Sequence, residues 1–74
     1  MSELAVLDRT GDTRIQWDKL NNDETEEARQ RFNEFRAKGF ASFKVDSSGL
    51  KGEQIDEFDA SAERIILVPQ MVGG

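Results

Sequence analysis

The residues of this chain with the clearest chemical use are the last two, Gly73 and Gly74. Glycine has no Cβ atom, so a double-glycine tail is thin and adopts backbone angles that are closed to other residues. Such a tail can enter a narrow channel and present the α-carboxylate of Gly74 to an enzyme. That carboxylate is a poor acyl donor until it is activated, for instance as an acyl-adenylate. Two adjacent terminal glycines also arise by chance in about one chain in 200.

The stretch before these glycines predicts how the tail leaves the fold. Residues 65–68 form a continuous apolar run, which is typical of a β-strand that is covered on both sides. Pro69 has no N–H group to give to a β-ladder, so we expect strand pairing to weaken or stop there. The sequence therefore predicts a folded body over residues 1–69 and an exposed, flexible tail over residues 70–74.

Length and composition argue against several classes of protein. Seventy-four residues suit a single small domain, and no apolar run approaches the roughly 18 residues of a membrane span. The N-terminal stretch lacks the basic and apolar regions of a signal peptide, and the absence of cysteine fits a cytoplasmic protein. The net charge of −5 argues against nucleic acid as a partner, because binding to phosphates needs a basic surface.

The side chains offer little support for enzymatic chemistry. The sequence contains no cysteine and no histidine, which removes the usual nucleophile–base pairs and the commonest metal ligand. Asp56, Glu57 and Asp59 are close together, but strand alternation would split them across two faces, so a solvated edge is favoured over a metal site. We therefore predict no catalytic residue, no metal site and no cofactor. We therefore expect that the chain is not itself an enzyme.

The first half of the chain predicts a β-hairpin followed by a helix. Residues 4–7 and 13–17 read as two strands around a turn of about five residues, in which Gly11 can supply a positive φ. A helix is predicted over residues 23–38, because Asp23 can cap its start and Gly39 can end it in a left-handed conformation. This helix carries an apolar stripe on one side and charges on the other.

Three further strands are predicted after the helix, over residues 40–45, 54–59 and 65–68. The last strand can insert between the first and the third, which would explain why it alone is apolar on both faces. The expected architecture is an α+β domain of ββαββ order, with one helix packed on one face of a mixed sheet. The expected core residues are Val6, Ile15, Trp17, Phe32, Phe35, Phe43, Ile65 and Leu67.

This order of elements resembles the ubiquitin-like β-grasp fold over nearly the whole chain. The end of the chain, residues 68–74, is similar to the tails of bacterial sulfur carriers, such as the small subunit of molybdopterin synthase and the thiazole-synthesis carrier. Those tails often show a proline a few residues before the terminal Gly-Gly, as Pro69 does here. Residues 56–74 as a whole, an aspartate-bearing bend followed by an apolar strand and the tail, resemble the same stretch of those carriers.

The resemblance implies activation by an E1-like adenylating enzyme that uses ATP and magnesium. The enzyme would adenylate Gly74, and Gly73 would provide clearance for the chain. The product would be a thiocarboxylate for sulfur transfer, or a thioester that ends as an isopeptide bond to a lysine. By analogy with ubiquitin-like proteins, the sheet face away from the helix and the adjoining tail would bind the enzyme and the acceptor protein. The residues expected to make these contacts are Lys44, Val68, Gln70, Met71 and Val72.

A second interpretation stays open. The chain would then be a β-grasp interaction or structural module, phage- or plasmid-encoded, whose Gly-Gly tail is never activated. A neighbouring gene for an adenylating enzyme or a deubiquitinase-like metalloprotease would favour the carrier, and neighbouring virion genes would favour the module. Under both interpretations we expect a monomer that binds neither nucleic acid nor membranes.

Overall fold

The computed structural model describes residues 1–8, 11–45 and 52–69, which form one five-stranded mixed sheet and one helix. The elements in chain order are β1 (Ser2–Asp8), β2 (Gly11–Trp17), α1 (Asn22–Ala37), β3 (Phe40–Val45), β4 (Glu53–Gln54) and β5 (Arg64–Pro69). The strand order across the sheet is β2-β1-β5-β3-β4, in which β1 and β5 are parallel and the other pairs are antiparallel. The protein is therefore a small α+β fold. The predicted insertion of the last strand between the first and the third is confirmed.

The first hairpin is tighter than the sequence indicated. β1 and β2 stay paired as far as Asp8 opposite Gly11, so residues 8, 11 and 12 belong to strands, not to the turn. Gly11 has the positive φ that was predicted for it, at 129°. Aspartate and glycine have weak strand propensities, and continuous cross-strand pairing outweighs those propensities here.

The helix begins at a different cap from the one predicted. Asn21, and not Asp23, is the N-cap: its Oδ1 accepts hydrogen bonds from the backbone N–H groups of Asp23 at 3.0 Å and Glu24 at 3.1 Å. Asparagine and aspartate cap helices about equally well, so capping preference alone does not choose between Asn21 and Asp23. At the other end, Gly39 has a φ of 94°, which confirms the predicted left-handed residue after the helix.

The core lies between α1 and the central strands. The helix contributes Ala28 and Phe32, whose spacing of four residues places both on one side, and both are fully buried. Trp17 is fully buried as predicted, and its indole N–H donates a hydrogen bond to the carbonyl of Ala60 at 3.3 Å. Ile15 and Phe35 are partly buried against this core. The buried cluster consists of Leu4, Val6, Trp17, Ala28, Phe32, Ala62, Ile65 and Leu67.

One predicted core residue, Phe43, lies on the other side of the sheet. The register places Ser42 opposite Leu67, and directly opposed residues point to the same side. Since Leu67 belongs to the core, Ser42 faces the helix and Phe43 faces away from it. Phe40 takes the place in the core, with its ring centroid 5.1 Å from that of Phe35. Phenylalanines occur on both faces of β3, so only pairing with β5 decides which of them packs under the helix.

The fourth strand is shorter than predicted. β4 consists of Glu53–Gln54, whereas the sequence indicated a strand over residues 54–59. Ile55 and Phe58 pack against the core instead, and the ring centroid of Phe58 lies 5.1 Å from that of Trp17. Because strand side chains alternate every two residues, two core contacts spaced three residues apart fit an irregular segment better than a strand.

These positions predict a large difference between two phenylalanine truncations. Phe32→Ala should cost about 3–5 kcal/mol of unfolding free energy, because it empties a fully buried site in a domain with a small core. Phe43→Ala should cost about 1–2 kcal/mol, because Phe43 is only half-buried. Urea denaturation of both variants measures the two values, and equal losses would show that the sheet faces are assigned wrongly.

Candidate functional site

The strand that leads to the tail lies in the middle of the sheet. β5 pairs with β1 on one side and with β3 on the other, and Ile65 and Leu67 are fully buried. Pro69 still lies opposite Phe40 and is the last described residue. β5 is therefore paired on both sides as far as Leu67, and with β3 alone from there to Pro69, where the predicted tail begins. The tail residues of the sequence prediction lie outside the described residues: Gln70, Met71, Val72, Gly73 and Gly74.

The sheet face turned away from α1, here called the open face, carries a group of apolar side chains. Along β1 and β5 the core residues alternate with residues that point to the opposite side. Cross-strand register extends this second side to β3, where Ala41 lies opposite Val68 and Phe43 opposite Ile66. The apolar residues of the open face are Ala5, Leu7, Ala41, Phe43, Val45, Ile66 and Val68.

The open face has a partly exposed apolar interior and charged margins. Leu7 is 40% exposed, and Ile66 and Val68 are half-buried, whereas the alanine and the valine of β3 on this face are buried. At one end of β5, the Nε atom of Arg64 lies 3.2 Å from a carboxylate oxygen of Glu3. Grouped apolar side chains bounded by charges are characteristic of surfaces that bind other proteins.

Sequence reasoning named only Val68 among these apolar residues as a binding residue. The available signal was the continuous apolar run of β5, which necessarily places Ile66 and Val68 on the side opposite Ile65 and Leu67. Phe43 was missed because its face cannot be read from β3 alone. The sequence therefore predicted the part of the open face that β5 contributes, whereas the part that β3 contributes could be assigned only from the strand register.

Lys44 does not lie on the open face, contrary to the sequence prediction. It is opposite Ile65 in the register and therefore points toward the helix side of the sheet. There its Nζ atom lies 3.1 Å from Oδ2 of Asp59. Lys44 and Val68 thus lie on opposite sides of the sheet. Lys44 is opposite Ile65, which is three residues from Val68 along β5, and residues an odd number of positions apart on a strand point to opposite sides. A partner that docks flat on the open face would contact Val68 and not Lys44.

Asp59 is the centre of a polar cluster near the edge of the sheet. The hydroxyl of Ser61 donates a hydrogen bond to its Oδ1 at 2.6 Å, and the backbone N–H of Ser61 donates to the same oxygen at 2.9 Å. The bond from the Ser61 hydroxyl, followed by the bond from Lys44, lowers the pKa of Asp59. The hydrogen bond to Asp59 raises the pKa of Lys44. Both groups are therefore held in their charged forms, and the cluster ties the segment after β4 to β3.

The neighbouring acids Asp56 and Glu57 do not join Asp59 in a common site. Asp56 is directed to the guanidinium group of Arg36, with an Oδ1–Nη2 distance of 3.5 Å. Among the described residues, no group of three or more acidic side chains is placed to hold a metal ion. Asp56 and Asp59 therefore interact with different cations, Arg36 and Lys44.

No protein-family model, curated protein or solved structure matches this chain. The helix packed on a mixed sheet is compatible with a β-grasp fold. In the part of the chain that the structure describes, no helix is long and apolar enough to cross a membrane.

The polar cluster predicts a specific dependence of stability on pH. Because the pKa of Asp59 is lowered in the folded state, its contribution is present above its ordinary pKa, near 3.8, and is lost as the pH falls through the folded-state value. Acidification from about pH 7 to about pH 2 should therefore destabilise the wild type more than Asp59→Asn, so that their melting temperatures converge. Ser61→Ala should lose an intermediate amount of melting temperature on acidification, because it removes one of the hydrogen bonds to Asp59. If the melting temperatures of all three proteins fall in parallel with pH, the stabilising role of Asp59 is contradicted.

Proposed function

We propose that this chain is a ubiquitin-like β-grasp protein that acts as a sulfur carrier or a protein modifier. An E1-like enzyme adenylates the carboxylate of Gly74, and the activated tail then passes to an acceptor. The observation that carries the proposal is the position of β5, a central and buried strand that runs directly into Pro69 and the Gly-Gly tail. Such a body fixes the base of the tail while the tail enters an active site.

The sheet topology supports the β-grasp assignment. The first and last strands are parallel neighbours in the centre, the first hairpin lies on one side of them, and the helix connects that hairpin to the strand on the other side. This is the arrangement that the resemblance implied. The fold supplies the carrier with a stable body, and the function itself comes from the tail and the surfaces beside it.

The proposed chemistry requires only a carboxylate from this chain. A carboxylate oxygen of Gly74 attacks the α-phosphorus of ATP and displaces pyrophosphate, which gives an acyl-adenylate. Hydrosulfide supplied by the partner then displaces AMP and gives a thiocarboxylate, or a thiolate of the partner displaces AMP and gives a thioester. A lysine amine that attacks the thioester displaces the thiol and forms an isopeptide bond. The chain needs no catalytic residue or cofactor for these steps, since its partners provide ATP, magnesium and the nucleophile.

The open face is the proposed docking surface for the adenylating enzyme and the acceptor protein. Ile66 and Val68 belong both to this face and to the strand that leads to the tail, so one partner can hold the face and the tail together. Phe43 and Leu7 extend the apolar contact on the two sides of β5. Lys44 is removed from this proposed surface by its position on the helix side. The proposal places these reactions in the cytoplasm, with proteins and not nucleic acid or membranes as partners.

A second candidate function is an interaction or structural module that never uses its tail. The open face favours it, because an apolar protein-binding surface serves such a module as well as a carrier. Intact mass analysis of the protein from its native host separates the two candidates. A mass that corresponds to exchange of one oxygen for sulfur, or to a covalent adduct, supports the carrier. An unmodified mass throughout, together with purification in a larger assembly, supports the module.

Tail variants test the proposed activation step. Deletion of Gly74 moves the carboxylate back by one residue, and Gly73→Val adds bulk where a channel must close around the chain. The assay uses the adenylating enzyme whose gene lies nearest to the gene of this protein. Both changes should abolish ATP–pyrophosphate exchange by that enzyme. Arg31→Ala, on the exposed side of α1, is the control and should retain exchange. Exchange that persists in both tail variants would remove the tail from the mechanism.

A matched pair of leucine variants tests the docking surface. Leu7→Asp places a charge on the open face, whereas Leu20→Asp makes the same change at a residue that is 93% exposed just before α1. Leu7→Asp should weaken binding to the adenylating enzyme by about tenfold or more, and Leu20→Asp should leave it unchanged. Titration calorimetry measures both affinities, and circular dichroism checks that both proteins are folded. Equal effects of the two variants would contradict docking through the open face.

A further inference from the structure

Within the described residues, the sheet has two unequal edges. β4 is an edge of two residues, and β2 is an edge of seven residues that pairs only with β1. An edge strand directs alternate backbone N–H and C=O groups outward, where another strand can pair with them. Monomeric proteins usually keep their edge strands short, interrupt them or cover them. β2 is therefore the edge at which a further strand can be added.

The exposed side chains of β2 carry two opposite charges on one face. Asp12 and Arg14 are two residues apart, both are exposed, and both point to the open-face side. Their cross-strand neighbours on β1 are Leu7 and Ala5, which offer no charge. Among residues 1–8, 11–45 and 52–69, neither charge forms an ion pair. The edge thus presents an acid and a base that are available to a partner strand.

We propose that β2 pairs antiparallel with β2 of a second copy of this chain, in the register that places Asp12 opposite Arg14 of the partner subunit. By the two-fold symmetry, the same contact occurs twice. Thr13 then lies at the axis, opposite Thr13 of the partner subunit. Opposite charges directly across an antiparallel pair stabilise it, so the sequence of β2 is complementary to itself in this register.

Neighbouring registers lack this complementarity. A two-fold axis between antiparallel strands keeps both helices on the same side of the joint sheet. Directly opposed residues must then come from the same face of each copy, so the possible registers differ by shifts of two residues. One step in one direction places Arg14 opposite Arg14 of the partner subunit, which brings like charges together. The following step places Arg14 opposite Gln16 of the partner subunit, which forms no charge pair. The alternation of charge along β2 therefore selects one register.

The proposed contact is independent of the carrier function. β1 separates β2 from β5, so pairing at this edge leaves Ile66, Val68 and the base of the tail free. It joins two five-stranded sheets into one and brings the open faces of both copies side by side. The net charge of −5 on each copy opposes association, so the dimer is weak and replaces the expected monomer only at high concentration.

Sedimentation equilibrium of the full chain, at concentrations up to about 1 mM, tests for the dimer, since small interfaces give weak association. We expect a monomer–dimer equilibrium, and an NMR dilution series should show concentration-dependent shifts concentrated in residues 11–17. A protein that stays monomeric over this range would overturn the proposal. Concentration-dependent shifts confined to the open face or to α1 would overturn it as well, because another surface would then be responsible.

Charge reversal tests the register. In a dimer of Arg14→Glu, both contacts between positions 12 and 14 would bring two acids together. In a dimer of Asp12→Arg, both contacts would bring two bases together. Each variant should therefore weaken dimerisation about tenfold or more. An equimolar mixture of these two variants restores both opposite-charge contacts and should form a heterodimer. The double variant Asp12→Arg/Arg14→Glu should regain the wild-type homodimer.

A matched control separates this local effect from net charge. Arg31→Glu on α1 changes the net charge by the same amount as Arg14→Glu, and Arg31 is on the exposed side of the helix. The control should dimerise like the wild type. Thermal melting of each variant checks the folding of the monomer. Failure of the mixture and of the double variant to recover association, with folded monomers, would overturn the proposed register.

Discussion

The pairing of β5 with both β1 and β3 is the interaction on which the rest of the structure depends. Without it, the sheet would separate into the β1–β2 hairpin and the β3–β4 pair. The residues that form this pairing are far apart in sequence, since residues 3–6 of β1 lie beside residues 64–67 of β5. Ile65 and Leu67 complete the core under α1 at the same time. The sheet and the core therefore form together, and both depend on the end of the chain.

The same strand links stability to the proposed function. One side of β5 is fixed in the core, and the other side places Ile66 and Val68 on the open face. A strand that is buried on one side and available on the other can hold the base of a tail and also contribute to a docking surface. This division explains why the run before Pro69 is apolar at every position, although the helix covers only one face.

The irregular segment between β4 and β5 is held by contacts with both layers. Phe58 packs beside Trp17, and the indole of Trp17 donates a hydrogen bond to Ala60. Asp59 binds Lys44 at the edge of β3. These contacts bring the chain into position to enter the middle of the sheet as β5. The acids that might have suggested a metal site therefore take part in, or lie beside, a structural connection.

The sequence by itself determined the helix, the left-handed residues Gly11 and Gly39, and the central position of the last strand, because these follow from local periodicity and backbone preferences. It also singled out Gly73 and Gly74 as the residues for the proposed chemistry. Only the tertiary structure decided which faces Phe43 and Lys44 occupy, since alternation defines two faces but cross-strand register assigns one of them to the core. It likewise shortened β4, because the core contacts of Phe58 outweigh the weak strand preference of that segment.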